Sequence, residues 1–312
     1  MRGAFGHKPF EDAIRAVRAI ATNQLARVMP KAYVRMVGET GRGLEVSPPA
    51  ETARYFLQCV HDYLEVLGKS ASEVASFWNA KRVIEYGPGD IPGVALLLVG
   101  YGAKSVLCVD RFPLVRFDDH QQRVIEEIAA LLPDDAARAR LWACFKDRYD
   151  LGAGLREGPV SYRITESGVV GQKGVADVVI SRAVLEHVDD LTATFDDMAS
   201  VLTDDGVAIH KVDLKSHGLH RYNRLDFLTW PEGLWRLMYS YKGAPNRIRV
   251  DRYMRETERV GFRMDVLSPC EVASTEEVEA IRPHLADPFQ SLTDQHLRWL
   301  SFWMVARHSR AH

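Results

Sequence analysis

The sequence is short of cysteine. Its four thiols in 312 residues, Cys59, Cys108, Cys144 and Cys270, are scattered and form no CxxC pair. That spacing excludes a disulfide framework and a cysteine-based zinc site, and it fits inert thiols in a reducing compartment. Long apolar runs are missing as well. The longest aliphatic stretch, Val94 to Val99, falls far below the ~20 residues of a membrane span. Near the N-terminus Arg2 and Lys8 stand beside Glu11 and Asp12 with no apolar segment, so no secretory signal is expected and the cytoplasm is the expected location. Excess charge of one sign is absent too, with 40 basic against 42 acidic residues and a net charge of −2. That balance offers no electrostatic footprint for nucleic acid or a membrane surface.

What is present is globular material, 46% hydrophobic and 26% charged, enough for two domains or for one α/β domain with insertions. The first eighty residues read as helical. Phe10, Ile14, Val17, Ala21, Leu25 and Val28 recur at helical spacing and predict an apolar face. A second stripe runs Phe56, Cys59, Val60, Tyr63, Leu64, Leu67, with Gly68 as its stop, and the glycines and prolines from Gly38 to Pro49 mark a loop between the two.

From residue 82 short β-rich runs alternate with helical ones. Strands are predicted at Arg82–Tyr86, Ser105–Asp110, Val160–Thr165, Asp177–Ser181 and Val207–Val212, with helices from near Pro92, over Asp118–Leu132 and over Asp189–Leu202, the last ending at Gly206. Such alternation implies a parallel, doubly wound sheet. A helix over Val250–Val260 and strands over Arg263–Leu267 and Ser301–Ala306 close the chain. Residues 214–249 form an insertion rich in aromatic and basic groups.

The sharpest chemical signal is Arg82-Val-Ile-Glu85-Tyr-Gly87-Pro-Gly89-Asp90-Ile-Pro-Gly93, a buried strand that breaks into a glycine loop and opens a helix. Gly87 and Gly89 let the backbone turn tightly and approach a ligand, and the helix N-terminus offers free N–H groups to an anion. Glu85 can accept from a ligand ammonium or from loop amides. The second signal is Asp110, closing Ser105-Val-Leu-Cys-Val-Asp110-Arg111-Phe112 about twenty residues on, where a carboxylate can hold both ribose hydroxyls. Phe112 suits an adenine face or a place in the core. Both NAD and S-adenosylmethionine use such a pair of signals. The glycine spacing here is GxGxxxG, and an acidic residue two positions before it repels a pyrophosphate but suits an amino-acid ammonium, so S-adenosylmethionine fits better.

On these residues the sequence resembles a class I S-adenosylmethionine-dependent methyltransferase. Glu85-Tyr-Gly87-Pro-Gly89 is similar to the family's first motif, and Ala176-Asp-Val-Val-Ile-Ser181-Arg-Ala-Val-Leu-Glu186-His187-Val188 to the fourth strand and turn of its small-molecule branch. The resemblance covers about residues 80–307. It implies a Rossmann-like, doubly wound seven-stranded sheet, mostly parallel with the last strand antiparallel, with a helical N-terminal cap over 1–79. The methyltransferase domain would run 80–312 with a lid at 214–249. It also implies that Glu85, Gly87 and Gly89 line the methionine end of the cofactor and that Asp110, with Arg111 and Phe112 behind it, holds the ribose. Thr165 and Glu166 would border the adenine, and Ser181 and Arg182 would lie under the transferred methyl.

The expected reaction is in-line transfer of a methyl group to a small-molecule acceptor, at an oxygen such as a natural-product or sugar hydroxyl, leaving S-adenosylhomocysteine. Positioning supplies much of the rate, and a hydroxyl needs a base. The candidates are His187, His210 and His217. Trp230, Trp235 and Tyr239 either line a lid over the acceptor or belong to an amphipathic helical cap that fills its own small core. N- or C-methylation is the alternative, and an NAD-dependent oxidoreductase a more distant one. A divalent metal is not expected. His210, Asp213 and His217 could supply mixed ligands, but the ubiquinone-pathway methyltransferases, similar around Leu-Glu-His-Val, use Glu-x-x-Glu-His, and Ala183 stands at the first of those glutamates. The (Asp/Asn/Ser)-Pro-Pro-aromatic turn of DNA amino-methyltransferases is missing, since Ser181-Arg-Ala-Val stands there. The partners expected are a small-molecule substrate and, as an open possibility, a second copy of the chain, with no nucleic acid and no membrane.

Overall fold

A computed structural model describes residues 9–29, 47–165 and 170–309. Seven strands form one sheet: β1 (Arg82–Tyr86), β2 (Ser105–Asp110), β3 (Val160–Ile164), β4 (Ala176–Arg182), β5 (Leu202–Asp213), β6 (Phe262–Val272) and β7 (Trp299–His308), in the order β3-β2-β1-β4-β5-β7-β6. The first five pair in parallel, and β7 runs antiparallel to both β5 and β6. Strands of a parallel sheet covered on both faces are apolar on both sides. Accordingly Val83 and Ile84 of β1 both lie buried but in different cores.

One face is covered by α2 (Pro49–Glu65), α4 (Gly93–Gly100), α5 (Asp119–Leu131) and α6 (Asp135–Trp142), with the short α3 (Val74–Trp78) beside them. Helix α2 opens on Pro49, whose fixed φ suits a first helical turn, and its Phe56, Cys59, Val60, Tyr63 and Leu64 pack into the same core as Val83, Val178 and Ile209 of the sheet. The other face is covered by α7 (Leu191–Val201) and α9 (Val250–Arg259). There Phe195, Met198 and Tyr253 meet Ile84, Val179 and Ala208.

A third core meets the sheet only at Leu300, near the start of β7. It joins α1 (Pro9–Val28) to the 225–239 part of the insertion with α8 (Glu232–Tyr239), and to α10 (Thr275–Ile281), α11 (Asp287–Gln290) and α12 (Asp294–Arg298). The helices of the first eighty residues therefore divide between two cores.

The predicted apolar face of α1 needs correction. Phe10, Val17 and Val28 are 78%, 67% and 76% exposed, while Ala16, Ala19, Asn23 and Ala26 are buried. Backbone satisfaction selects that face: the Asn23 amide donates to Leu237 O at 2.9 Å and accepts from Tyr241 N at 2.9 Å, and Lys242 Nζ donates to Ala19 O at 2.7 Å. The two Asn23 bonds serve a carbonyl and an amide that the end of α8 leaves open, and small residues allow the approach. Strand β5 also starts earlier than predicted, at Leu202 straight after α7, so Gly206 lies in the strand rather than ending a helix. Its register with β4 shifts between Ala176 and Val178. Helices α6, α10, α11 and α12 were not predicted.

Candidate active site

The glycine loop follows β1. Gly87 and Gly89 both take left-handed backbone angles, φ +64° and +76°, which side chains disfavour. Their surroundings differ. A Cβ on Gly87 would lie 2.4 Å from Val184 Cγ2, whereas one on Gly89 would meet nothing within 4 Å. Gly87 thus serves close packing of the loop after β4, and Gly89 leaves open space beside the turn. Glu85 lies 6% exposed beneath the loop, where the Cys108 thiol is 3.6 Å from its carboxylate and burial pushes its pKa up to about 7.

At the end of β2 the Asp110 carboxylate accepts from Phe112 N at 3.1 Å, and burial raises its pKa. Arg111 pairs with Asp189 at 2.8 Å and its guanidinium sits 5.6 Å from the centre of the Phe112 ring, which is 47% exposed. Thr165 follows β3 and donates its N–H to Asp110 O at 3.0 Å, while its buried hydroxyl has no hydrogen-bond partner among the described residues. Glu166 lies outside the described residues. The chain beyond returns under control of Asp197 on α7, which accepts from Val170 N and Gly171 N at 2.8 and 2.7 Å and from the Tyr86 hydroxyl at 2.5 Å.

Strand alternation separates the two residues at the end of β4. Arg182 turns toward α2, bonding Asp62 at 2.6 Å between the rings of Tyr55 and Trp303. Ser181 turns the other way and is fully buried, its hydroxyl 2.7 Å from His210 Nδ1. His210 is itself fully buried with Nε2 3.1 Å from Met198 Sδ, and burial pulls its pKa down to about 3. The expectation that His210 serves as a base is thereby corrected: it faces α7 from within the sheet, and both ring nitrogens are engaged. The Ser181 side chain, sealed with it, does not reach the space above the strand ends.

That space holds a different cluster. After β4 the chain turns at Ala183, φ +53°, and Leu185–His187 form one helical turn. Asn246 of the insertion clamps this turn, donating from N to Glu186 O at 2.6 Å and from its amide to Leu185 O and Val188 O at 2.9 and 3.1 Å. The His187 ring lies 4.9 Å from that of His217, which also adopts a left-handed φ of +49°. His217 Nε2 is 3.8 Å from Asp213 Oδ2 and 4.0 Å from Glu186 Oε1. Burial and the neighbouring His217 lower the His187 pKa to about 4, and burial lowers that of His217. Glu186 is 1% exposed, and burial raises its pKa well above the carboxylate range. The two imidazoles singled out in the sequence, His187 and His217, lie side by side and Glu186 adjoins them, whereas Asp62 and Asn246 were not foreseen. Only the Leu-Glu-His block hinted at Glu186.

The aromatic residues expected in a lid fill the third core instead. Trp230, Trp235 and Tyr239 are 7%, 5% and 8% exposed, and Trp235 packs against Tyr239 with ring centres 4.3 Å apart. Arg247 fits between Trp235 and Phe289 at 4.7 and 5.1 Å. Trp230 also borders a cleft of about 430 Å³ with Asp12, Arg221 and His284, which no glycine-loop residue lines. Of the two readings, the packed core holds, and a second set of apolar residues over 273–300 completes it.

The strand order with its antiparallel β7, the glycine loop after β1 and an acidic residue closing β2 together define the class I S-adenosylmethionine-dependent methyltransferase architecture. Residues 52–266, more than half of the chain, match the family model of the methyltransferase domain, and the chain belongs to that family. Among curated proteins none matches. Among solved structures, a methyltransferase dependent on S-adenosylmethionine from Mesorhizobium loti is 16% identical, with 76% of this chain and 98% of that one covered at a TM-score of 0.43. A phosphoethanolamine N-methyltransferase from Haemonchus contortus, in complex with S-adenosyl-L-methionine, is 14% identical, with 74% of this chain and 49% of that one covered at a TM-score of 0.39. S-adenosylmethionine is the cofactor that the sequence resemblance implies for a methyltransferase domain. The residues present fit it: open space at Gly89, a strand-end carboxylate at Asp110 and an uncommitted hydroxyl at Thr165.

Proposed function

We propose that the chain methylates an oxygen of a small-molecule acceptor above the ends of β4 and β5. One observation carries this reading: two neutral imidazoles stand 4.9 Å apart, His187 on the turn that begins where Val184 packs on Gly87 and His217 on the segment just past the end of β5. Bound S-adenosylmethionine supplies an electrophilic methyl on a sulfonium. Glu85, Gly87 and Gly89 would hold its methionine end, Asp110 its ribose, and Arg111, Phe112 and Thr165 would border the adenine side. Arg182 and the main chain at Ser181 form the floor below the methyl.

His217 takes the hydroxyl proton as the carbon–oxygen bond forms, giving a methyl ether and S-adenosylhomocysteine. Asp213, 3.8 Å from Nε2, steadies the imidazolium that results. An amine acceptor protonated at neutral pH needs the same base, so the hydroxyl preference is what the experiment must test. Four free cysteines support a reducing compartment such as the cytoplasm, and no described helix is long and apolar enough to cross a membrane.

The test pairs calorimetric titration with S-adenosylhomocysteine and NADH with a labelled-methyl screen of small alcohols, phenols, amines and carbon acids. Binding of the first ligand alone and methyl ether products are expected. Products methylated only at nitrogen or carbon overturn the acceptor assignment.

A further inference from the structure

We propose that Lys211 seats an anionic group, a carboxylate or a phosphate, carried by the methyl acceptor. The inference rests on the acceptor site read above the ends of β4 and β5, and it names the class of molecule that site takes.

Three observations carry it. The first is register. Arg182 of β4 lies opposite Lys211 of β5, and Lys211 lies opposite Trp303 of β7. Paired residues of neighbouring strands point to the same side of a sheet, about 4.8 Å apart. The three therefore stand in one row that continues the floor assigned to Arg182. Both cations lie against one indole, with the Arg182 guanidinium 5.8 Å and Lys211 Nζ 5.5 Å from the centre of the Trp303 ring.

The second is charge. Arg182 is matched by Asp62 at 2.6 Å. One step further along the same face, Asp213 and Glu271 both lie opposite Ser301. Those carboxylates are matched as well. Both reach Lys215, at 3.3 and 3.1 Å, and Glu271 also reaches Arg224 at 3.0 Å. Lys211 is half-buried, yet among the described residues it has no hydrogen bond and no carboxylate within 4 Å. A cation drawn partly out of water calls for a partner, and the Trp303 ring supplies only part of one. An anion completes it.

The third is access. Ser268 lies opposite Trp303 on β6 and is exposed, as is Cys270 two residues on, so solvent reaches the row at its β6 end. The strand also sets the shape of the acceptor. Lys211 and Asp213 share a face two residues apart, about 7 Å along β5, and Asp213 is 3.8 Å from His217 Nε2. A molecule that meets both Lys211 and His217 carries its acid group and its nucleophilic oxygen at opposite ends of a small skeleton. Hydroxy acids and hydroxylated phosphate esters have that form, whereas neutral alcohols leave Lys211 unmatched.

Two measurements on the full chain, with S-adenosylhomocysteine bound, test the seat. The first needs no turnover. Tryptophan emission is titrated with iodide, an anion, and with neutral acrylamide, and the part due to Trp303 is the difference between wild type and Trp303→Phe. We expect Lys211→Ala to lower iodide quenching of that part on the order of twofold, Lys211→Arg to keep it, and acrylamide quenching to stay the same in all three. Wild-type affinity for S-adenosylhomocysteine reports the fold. Equal iodide quenching in wild type and Lys211→Ala overturns the seat.

The second is labelled-methyl transfer to matched pairs: 4-hydroxyphenylacetate against its amide, glycerol 3-phosphate against glycerol, and acidic against neutral amines. The acidic member of a responding pair should have kcat/KM higher by about tenfold or more, the size of one charge-assisted hydrogen bond. Lys211→Ala should raise its KM by a similar factor with kcat within a few-fold, and Lys211→Arg should recover most of the loss. The first two pairs separate a carboxylate from a phosphate. Preference for the neutral members, or a fall in kcat at unchanged KM, overturns the placing of the anion on the acceptor. Transfer confined to acidic amines, with iodide quenching still dependent on Lys211, leaves the seat standing and removes the hydroxyl reading instead.

Discussion

Val184 lies against the α-carbon of Gly87, so that a methyl group there would sit 2.4 Å from its Cγ2. The loop carrying Glu186 and His187 is thus keyed to the glycine loop by one contact. Gly89, two residues on, has the same handedness but no neighbour within 4 Å. Gly87→Ala is therefore expected to lower the melting temperature of the ligand-free protein more than Gly89→Ala, which carries only the backbone cost of about 1–2 kcal/mol. Val184→Ala in the Gly87→Ala background should recover part of the loss. Thermal melts without ligand check the order, and equal losses would remove the steric contact from the explanation.

Asp110→Ala removes the strand-end carboxylate. Affinity for S-adenosylhomocysteine should fall at least tenfold by calorimetry, with Asp110→Asn falling less because an amide oxygen can still accept from Phe112 N, now 3.1 Å away.

His217→Ala and His210→Ala should part company. The first is expected to cut methyl transfer by about 10²–10⁴ with S-adenosylhomocysteine affinity kept within a few-fold. The second should act on stability, by opening a cavity and leaving the buried Ser181 hydroxyl without its 2.7 Å partner. Rate and urea denaturation, measured on both, separate the two roles.

The same burial gives His210 a pH signature. Its folded pKa of about 3 lies below the ordinary 6.5, so the unfolded chain binds the extra proton across that window. The contribution to stability is full above pH 6.5 and is lost as pH falls toward 3, at up to about 1.4 kcal/mol per pH unit. The stability difference between wild type and His210→Gln should shrink accordingly on acidification. A difference independent of pH would mean the ring is not held neutral.

Trp235→Ala should cost about 3–5 kcal/mol, the range for a large aromatic in a core, and leave S-adenosylhomocysteine affinity nearly unchanged at temperatures where the variant is folded. A selective rise in acceptor KM without loss of stability would restore a lid role.

The strands around the glycine loop were legible because their apolar runs are short, bounded by glycine and aspartate, and buried on both faces. The predicted spans for β1 and β2 match residue for residue. The third core was not legible. Its parts come from residues 16–19, 225–239 and 273–300, and no local pattern reveals that a buried Asn23, rather than an apolar stripe, chooses the face of α1. The same limit hid the Glu186 cluster: strand alternation sorts Ser181 from Arg182, but the meeting of Glu186 with His217 depends on two loops and the clamp from Asn246.

The partnership of α1 with α8 spans 214 residues, from Asn23 to Leu237. At synthesis rates of about 5–20 residues per second, α1 leaves the ribosome on the order of 10–40 s before its partner exists. During translation α1 is thus among the last elements to be housed, and the sheet has time to assemble its first five strands before the third core can close.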